Sequence, residues 1–191
     1  MVLIISKKGD ATQIVKPKKI GLEEDMQDFI KDHPEVIPFH EIEEGKKILV
    51  IIKEFSTNSG PVDAVGIDQE GQIYLIETKL EKNTDKRRVI AQILDYASSM
   101  WKNTTYYDFT TIVDNYLRKE KDSDLDTEIL NYFEGTDLKQ IKNSINENIS
   151  AGHYRLVIVM DRIDDALKDT ITFLNTHTDF DIYGIELNYY E

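Results

Sequence analysis

The sequence lacks cysteine, is poor in proline and glycine, and contains no long apolar run. Its 191 residues include no Cys, four Pro and nine Gly. Without cysteine the chain has no thiol nucleophile, no cysteine-ligated metal and no disulfide framework. No stretch approaches the roughly 18 apolar residues of a membrane-spanning helix, and the N-terminal run VLII is too short for a signal sequence. We therefore expect a cytoplasmic protein without a membrane segment.

Acidic residues outnumber basic ones, with 36 Asp plus Glu against 23 Lys plus Arg and a formal net charge of −13. This charge argues against broad, nonspecific binding to phosphate backbones, because long-range repulsion slows the encounter. The basic residues are nevertheless clustered. The segment 79–88, KLEKNTDKRR, carries five basic and two acidic side chains, whereas residues 104–150 carry five basic and ten acidic ones. A local basic surface is therefore compatible with an acidic protein.

The periodicity of apolar residues predicts strands that alternate with helices. Five runs read as strands, at 47–55, 61–68, 72–79, 154–160 and 181–187. Helices are expected at about 21–32, 85–101 and 164–175, and Asp85 can cap the second of them. More helix is expected over 104–150, with interruptions near 122–124 and 135–137, and residues 2–5 and 12–15 can form a small hairpin. Several strands are apolar on both faces, which predicts helices on both sides of the sheet. The expected fold class is α/β, with a mixed sheet flanked by helices.

Two acidic residues and a lysine are predicted to meet at one end of the hairpin formed by the second and third strands. If its turn is centred on Glu70, Asp63 lies opposite Glu77. The strand period of two places Glu77 and Lys79 on one face and points Thr78 away. Neighbouring carboxylates repel each other, and a divalent cation offsets the repulsion. Oxygen ligands without His or Cys favour Mg²⁺ or Mn²⁺, with the Thr78 carbonyl as a further ligand.

Three further features flank this group. Glu23 borders the apolar stripe of the first helix, where it can reach a neighbouring site or simply favour the positive helix N-terminus. Gln92 and Tyr96 are four residues apart on the helix after the third strand, where Gln92 can orient a water or a carboxylate. Arginines in the first turn of that helix oppose its dipole, which suggests an anionic partner such as phosphate. The basic cluster comprises Lys82, Lys86, Arg87 and Arg88.

Each feature taken alone also has a plain structural interpretation. A Glu-x-Lys sequence in a strand is usually a solvated ion pair that contributes little. The basic cluster can be a solvated helix face, Gln92 a surface residue and Tyr96 part of the core. The four features in this order along one chain are more specific than any one of them.

Together these residues resemble the PD-(D/E)xK nuclease superfamily, which includes restriction endonucleases. The matching residues are Glu23 on a helix, Asp63 on a strand, Glu77, Thr78 and Lys79 on the next strand, and Gln92 on the helix that follows. The spacing of Gln92 and Tyr96 is similar to that of the RecB-type branch. The likeness spans about residues 20–101, and the sequence departs from the family pattern in placing Val62 between Pro61 and Asp63.

The resemblance implies a restriction-endonuclease-like fold and a Mg²⁺-dependent endonuclease that hydrolyses phosphodiester bonds in nucleic acid, with DNA the expected substrate. Asp63 and Glu77 would ligate Mg²⁺ with help from Glu23, Lys79 would position or activate the attacking water, and Gln92 would support the site. The basic cluster would bind nucleic acid. The alternative is a non-catalytic interaction module that retains the scaffold within a defence or repair complex. Either protein could act as a homodimer or with a protein partner.

The resemblance also suggests how one domain would be organised over the whole chain, 1–191. Residues 1–20 would form the N-terminal hairpin, and residues 20–101 the core that bears the motifs. Residues 102–150 would be a helical insertion, and residues 151–191 a closing strand, helix and strand.

Overall fold

Five strands form the central sheet, where they lie side by side in the order of the chain. The structure is a computed structural model, and it describes residues 3–5, 13–39, 43–82 and 86–190. The sheet strands are β3 (Ile48–Thr57), β4 (Gly60–Asp68), β5 (Ile73–Lys79), β6 (Tyr154–Met160) and β7 (Asp181–Glu186). The first three are antiparallel, whereas β6 and β7 run parallel to β5. A separate antiparallel pair joins β1 (Leu3–Ile5) to β2 (Gln13–Val15).

Helices cover both faces of this sheet, because its strands present apolar side chains on both sides. The helices are α1 (Glu23–Asp32), α2 (Lys86–Asn103), α3 (Tyr106–Lys121), α4 (Leu125–Tyr132), α5 (Leu138–Ala151) and α6 (Asp165–His177). Helices α2 to α6 pack into the larger core on one face. Helix α1 packs on the other face with a short 3-10 helix, Pro34–Val36. The expected α/β fold, a mixed sheet flanked by helices, is confirmed. The suggested division of the chain into four parts stays a prediction.

The ends of the helices follow from short polar side chains in the sequence. Asp124, Asp137 and Asp164 each accept a backbone amide at the start of a helix, which satisfies donors that have no partner within the helix. The predicted interruptions near residues 122–124 and 135–137 are confirmed. Asp85, the predicted cap of α2, lies outside the described residues. Among the helices described, none is long and apolar enough to cross a membrane.

The hairpin of β4 and β5 has the predicted register. Ala64 pairs with Ile76 and Ile67 with Ile73, which centres the turn on Glu70. Gly71 closes this turn with a φ of 81°, and a Cβ atom at this position would lie 2.5 Å from the Ile141 carbonyl oxygen. Glycine is therefore required both for the backbone conformation and for the close approach of α5.

A buried charge network holds the turn end of this hairpin. Asp68 is fully buried, and its Oδ1 accepts the amides of Glu70 and Gln72 at 2.8 and 3.0 Å. Its Oδ2 accepts the Tyr74 hydroxyl at 3.1 Å and lies 3.0 Å from Nζ of Lys46, which is 6% exposed. Both carboxylate oxygens thus have partners, which is the condition under which a buried charge is tolerated.

Replacing Asp68 should therefore destabilise the fold. We expect Asp68→Asn to lower the free energy of unfolding by about 2 kcal/mol, because it removes the buried carboxylate beside Lys46 and leaves that lysine with the more exposed Glu43 and Glu70. Asp126→Asn is the matched control, since Asp126 pairs with Lys142 where the side chains are 44% and 38% exposed. That variant should lose no more than about 1 kcal/mol in urea denaturation. Equal losses for the two variants would contradict the role assigned to Asp68.

Candidate functional site

The strands β4 and β5 stop pairing at the end of the hairpin that is distant from its turn. Their ladder reaches Ala64 and Ile76, and beyond this point a side chain takes over as the acceptor. Oδ2 of Asp63 accepts the Thr78 amide at 2.7 Å and the Thr78 hydroxyl at 2.7 Å. The Asp63 carboxylate therefore closes the end of the ladder and is fixed in place by Thr78.

Thr78 points away from Glu77, as strand alternation predicts, but its hydroxyl donates to Asp63, which therefore lies on the Thr78 side of β5. Strict alternation fails near Asp63: Val62 packs in the core under α2 to α6, whereas Ala64, two residues later, packs in the core under α1. On the adjacent strand Glu54 adopts a left-handed conformation with a φ of 53°. Such a residue interrupts the pleat of an extended strand. Asp63 consequently reaches the face of the sheet that carries Thr78.

Glu77 is the most unusual residue of the site. It is 1% exposed, and its Oε2 has no hydrogen-bond partner among the residues that the structure describes. Burial raises the pKa of the Glu77 carboxyl from 4.5 to about 9. This value includes the effects of neighbouring charges, since those of Asp63 and Glu23 raise the pKa and that of Lys79 lowers it. Asp63 and Lys79 therefore both lie within electrostatic reach of Glu77.

The pKa of Asp63 is also raised, and burial is the main cause. Hydrogen bonds from Thr78 and from the Gln27 side chain act in the opposite direction, and the charge of Glu23 adds to the increase. Gln27 was not predicted as a site residue. The sequence does hold a signal for it, because Gln27 is four residues after Glu23 and therefore lies on the same side of α1.

Helix α1 brings Glu23 to the site, as its position beside the apolar stripe suggests. Oε2 of Glu23 lies 3.4 Å from Nζ of Lys79, and its Oε1 accepts the amide of Leu80 at 3.0 Å. The side chains of Glu23 and Lys79 are 26% and 22% exposed. The pair is thus partly shielded from water, and Glu23 fixes both the Lys79 ammonium group and the chain that follows β5.

Helix α2 supplies the wall of the site opposite α1. Tyr96 is buried, and its hydroxyl accepts a hydrogen bond of 2.8 Å from Nε2 of Gln92. Burial raises the pKa of Tyr96, and the charges of Glu77 and Asp63 contribute to that increase. The hydrogen bond of Gln92 therefore goes to Tyr96 and not to a carboxylate. The catalytic roles suggested by the family resemblance stay predictions for these residues.

The basic cluster is only partly described. The Lys82 side chain is exposed, and its Nζ donates to the Gly21 carbonyl at the start of α1. Arg88 is exposed on α2. The side chains of Lys86 and Arg87 lie outside the part of the chain that the structure describes. Lys82 therefore stands beside the site, next to the chain that leads to Glu23.

The donor set partly fits a hard cation. Within residues 13–39, 43–82 and 86–190, no three side chains of the His, Cys, Asp or Glu type are grouped to hold a metal ion. Glu77 and Asp63 nevertheless offer carboxylate oxygens of like charge, and Oε2 of Glu77 is buried without a partner. Oxygen donors of this kind suit Mg²⁺ or Mn²⁺, with main-chain carbonyls or water completing the coordination.

Comparison with known proteins gives a limited result. No family model and no curated protein matches the chain. A repair endonuclease from Pyrococcus abyssi aligns with 97% of this chain at 14% identity and a TM-score of 0.39. A complex of EndoMS with double-stranded DNA aligns with 97% of the chain at 15% identity and a TM-score of 0.36. The chain covers 65% and 64% of those proteins, less than two thirds of either one. At these TM-scores the comparisons establish neither a shared activity nor a shared substrate.

Proposed function

We propose that the protein is a metal-dependent nuclease that hydrolyses phosphodiester bonds in nucleic acid, with DNA as its substrate. The observation that carries the proposal is the buried Glu77 carboxyl, whose Oε2 has no partner among the described residues. Leaving such an atom unpaired costs about 1–3 kcal/mol, and the neighbouring Asp63 charge adds repulsion. A divalent cation at this position removes both costs, which is why the site suits one.

In this proposal Asp63 and Glu77 hold Mg²⁺ or Mn²⁺, and the Thr78 carbonyl is a further ligand. The ion supplies an acidified water and positive charge at the phosphate when it is bound. Lys79 binds a non-bridging phosphate oxygen and offsets the charge that develops there. Glu23 keeps the Lys79 ammonium group oriented through the contact of 3.4 Å. Tyr96 and Gln92 form the wall that excludes water from the Glu77 side.

A second candidate is a non-catalytic module that keeps this scaffold inside a larger complex. Two observations favour it: no third acidic or histidine ligand groups with the two carboxylates among the described residues, and Glu23 already neutralises Lys79. The two candidates differ in metal binding, since an intact site binds Mn²⁺ and a degenerate one does not.

The first prediction concerns cleavage. Glu77→Gln and Lys79→Met should each lower the rate of Mg²⁺-dependent cleavage by at least about 100-fold, because the first removes a carboxylate that would hold the metal and the second removes the positive charge beside the phosphate. The measurement uses labelled duplex, flapped, branched and single-stranded substrates. Lys53→Met is the matched control, since Lys53 pairs with Asp28 on α1 outside the site. The enzyme assignment fails if the unaltered protein cuts none of these substrates with Mg²⁺ or Mn²⁺.

The second prediction concerns pH. The pKa of Glu77 is about 9 in the folded protein, above its value of 4.5 when unperturbed, so the folded state binds the extra proton. Stability without metal should therefore fall as the pH rises from about 5 to about 9. The Gln side chain of Glu77→Gln does not titrate. The free energy of unfolding of this variant, relative to that of the unaltered protein, should therefore increase by up to about 1.4 kcal/mol for each unit of pH rise in this range.

Urea denaturation in EDTA at several pH values tests this difference. Saturating Mn²⁺ should remove much of it, because the ion takes the place of the proton on Glu77. Identical pH dependence for the two proteins in EDTA would show that Glu77 is not held protonated.

The third prediction concerns Thr78. Thr78→Val removes the hydroxyl that donates to Asp63 but keeps the hydrogen bond from the backbone amide of residue 78 to Asp63. Loss of such an orienting contact should weaken Mn²⁺ binding by about tenfold. Thr78→Ser keeps the hydroxyl and should bind Mn²⁺ within about twofold of the unaltered protein. Isothermal titration calorimetry measures both, and equal affinities for the Val and Ser variants would remove the orienting role.

A further inference from the structure

A second basic segment lies next to the candidate site. Lys16, Lys18 and Lys19 stand between β2 and α1, and all three side chains are exposed. The segment is tied to the C-terminal part of the chain, because the amide of Lys18 donates to the Tyr189 carbonyl at 2.9 Å. Pro17 forms a β-bridge with Tyr190 in the same place. The lysines are thus displayed from a backbone with defined hydrogen bonds.

This segment leads directly into the site. Gly21 accepts a hydrogen bond from the Lys82 ammonium group, and Glu23 contacts both Lys79 and the amide of Leu80. Lys19 precedes Glu23 by four residues, which span at most about 14 Å when extended. Lys19 therefore stands near the residue that contacts Lys79.

A groove of about 450 Å³ opens beside these lysines, and we call it the lysine groove. It is lined by Lys18, Lys19, Ile20, Gly21, Asp25, Phe29 and Tyr189. Tyr189 is 37% exposed and makes an edge-on contact with Phe29, with ring centroids 5.8 Å apart. The groove thus combines ammonium groups, a partly exposed aromatic ring and one carboxylate. Its volume lies in the range of pockets that hold small organic groups, about 300–1,000 Å³.

We propose that the lysine groove binds an unpaired nucleotide of the strand that enters the candidate site. Lys16, Lys18, Lys19 and Lys82 contact its phosphates, and the base lies against Tyr189. This proposal rests on the proposed nuclease function and names its substrate class: nucleic acid with a single-stranded segment.

The chemistry of the groove favours an unpaired nucleotide over a paired one. Proteins bind single strands by combining a basic track for the backbone with aromatic rings for the bases. A paired base has both of its faces covered by neighbouring base pairs, so it offers no face to Tyr189. The Asp25 carboxylate can accept a hydrogen bond from an exocyclic amino group of the base. Lys16, Lys18 and Lys19 form a local basic group in a chain with a net charge of −13.

Fluorescence anisotropy of the full chain tests the proposal. The Glu77→Gln variant, which should not cleave, is titrated in EDTA against three DNAs of one sequence: a single strand, a blunt duplex and a duplex with a single-stranded tail. We expect the single strand and the tailed duplex to bind at least tenfold more tightly than the blunt duplex. The same background is then combined with Lys16→Gln, Lys18→Gln and Lys19→Gln. The slope of log affinity against log salt concentration should become shallower by about 2, because each lost phosphate contact contributes about 0.7.

Tyr189 has a separate test in the same assay. Tyr189→Ala should weaken binding of the single strand about tenfold, and Tyr189→Phe should not, because stacking needs the ring and not the hydroxyl. The matched charge control is Lys102→Gln, Lys119→Gln and Lys139→Gln, which removes three exposed lysines from α2, α3 and α5. This control variant should bind with an affinity within about twofold of its parent, because salt screens the charges that lie farther than about 10 Å from the bound strand. Circular dichroism verifies that each variant is folded.

The outcomes separate this proposal from the proposed function. Equal binding of the blunt and tailed duplexes, or equal losses in the two triple-lysine variants, overturns the lysine groove. Cleavage at an unchanged rate by a protein that keeps Glu77 and carries both lysine-groove changes overturns the groove and leaves the nuclease. Lysine-dependent binding of tailed DNA without any cleavage supports the groove and overturns the nuclease.

Discussion

The end of the β4–β5 ladder is the constraint on which the candidate site depends. Past Ala64 and Ile76 the two strands no longer pair, and the Asp63 carboxylate accepts the Thr78 amide and hydroxyl. The end of the ladder leaves room for side chains where a continuous sheet would have main-chain hydrogen bonds. Glu77 is buried at this end, Lys79 follows it, and α1 brings Glu23 within reach of both. The site is thus a consequence of where pairing stops.

The buried acidic residues at the two ends of the β4–β5 hairpin differ in their hydrogen bonding. At the turn end, Asp68 has partners on both oxygens, and Arg155 extends the network by donating to Tyr74 at 2.9 Å. At the other end, Oε2 of Glu77 lacks a partner among the described residues. A satisfied network stabilises one structure, whereas an unsatisfied carboxyl costs stability and is available to bind an ion or a ligand. This contrast distinguishes a buried carboxylate with partners on both oxygens from a buried carboxyl with one unpaired oxygen within the same sheet.

The distribution of charge is compatible with the anionic substrate that we propose for this acidic protein. The ten acidic residues of 104–150 belong to the part of the chain that forms α3, α4 and α5. Lysines stand instead on the segment before α1 and on the turn after β5, where Lys82 contacts Gly21. Screening in salt confines these charges to short range, so a local basic strip acts on a nearby phosphate despite the net charge.

The sequence by itself determined the α/β class, the strands and helices, and the register of the hairpin about Glu70. These follow from periods of two and 3.6 and from local signals such as Asp124, Asp164 and Gly71, which act over a few residues. Only the tertiary structure decided that Thr78 faces Asp63, that Gln27 joins them, and that Lys82 meets Gly21. The left-handed backbone of Glu54 depends on packing across the sheet, and so does the placement of Val62 and Ala64 in different cores. Contacts between residues distant in sequence form because the layers pack, and no local period encodes them.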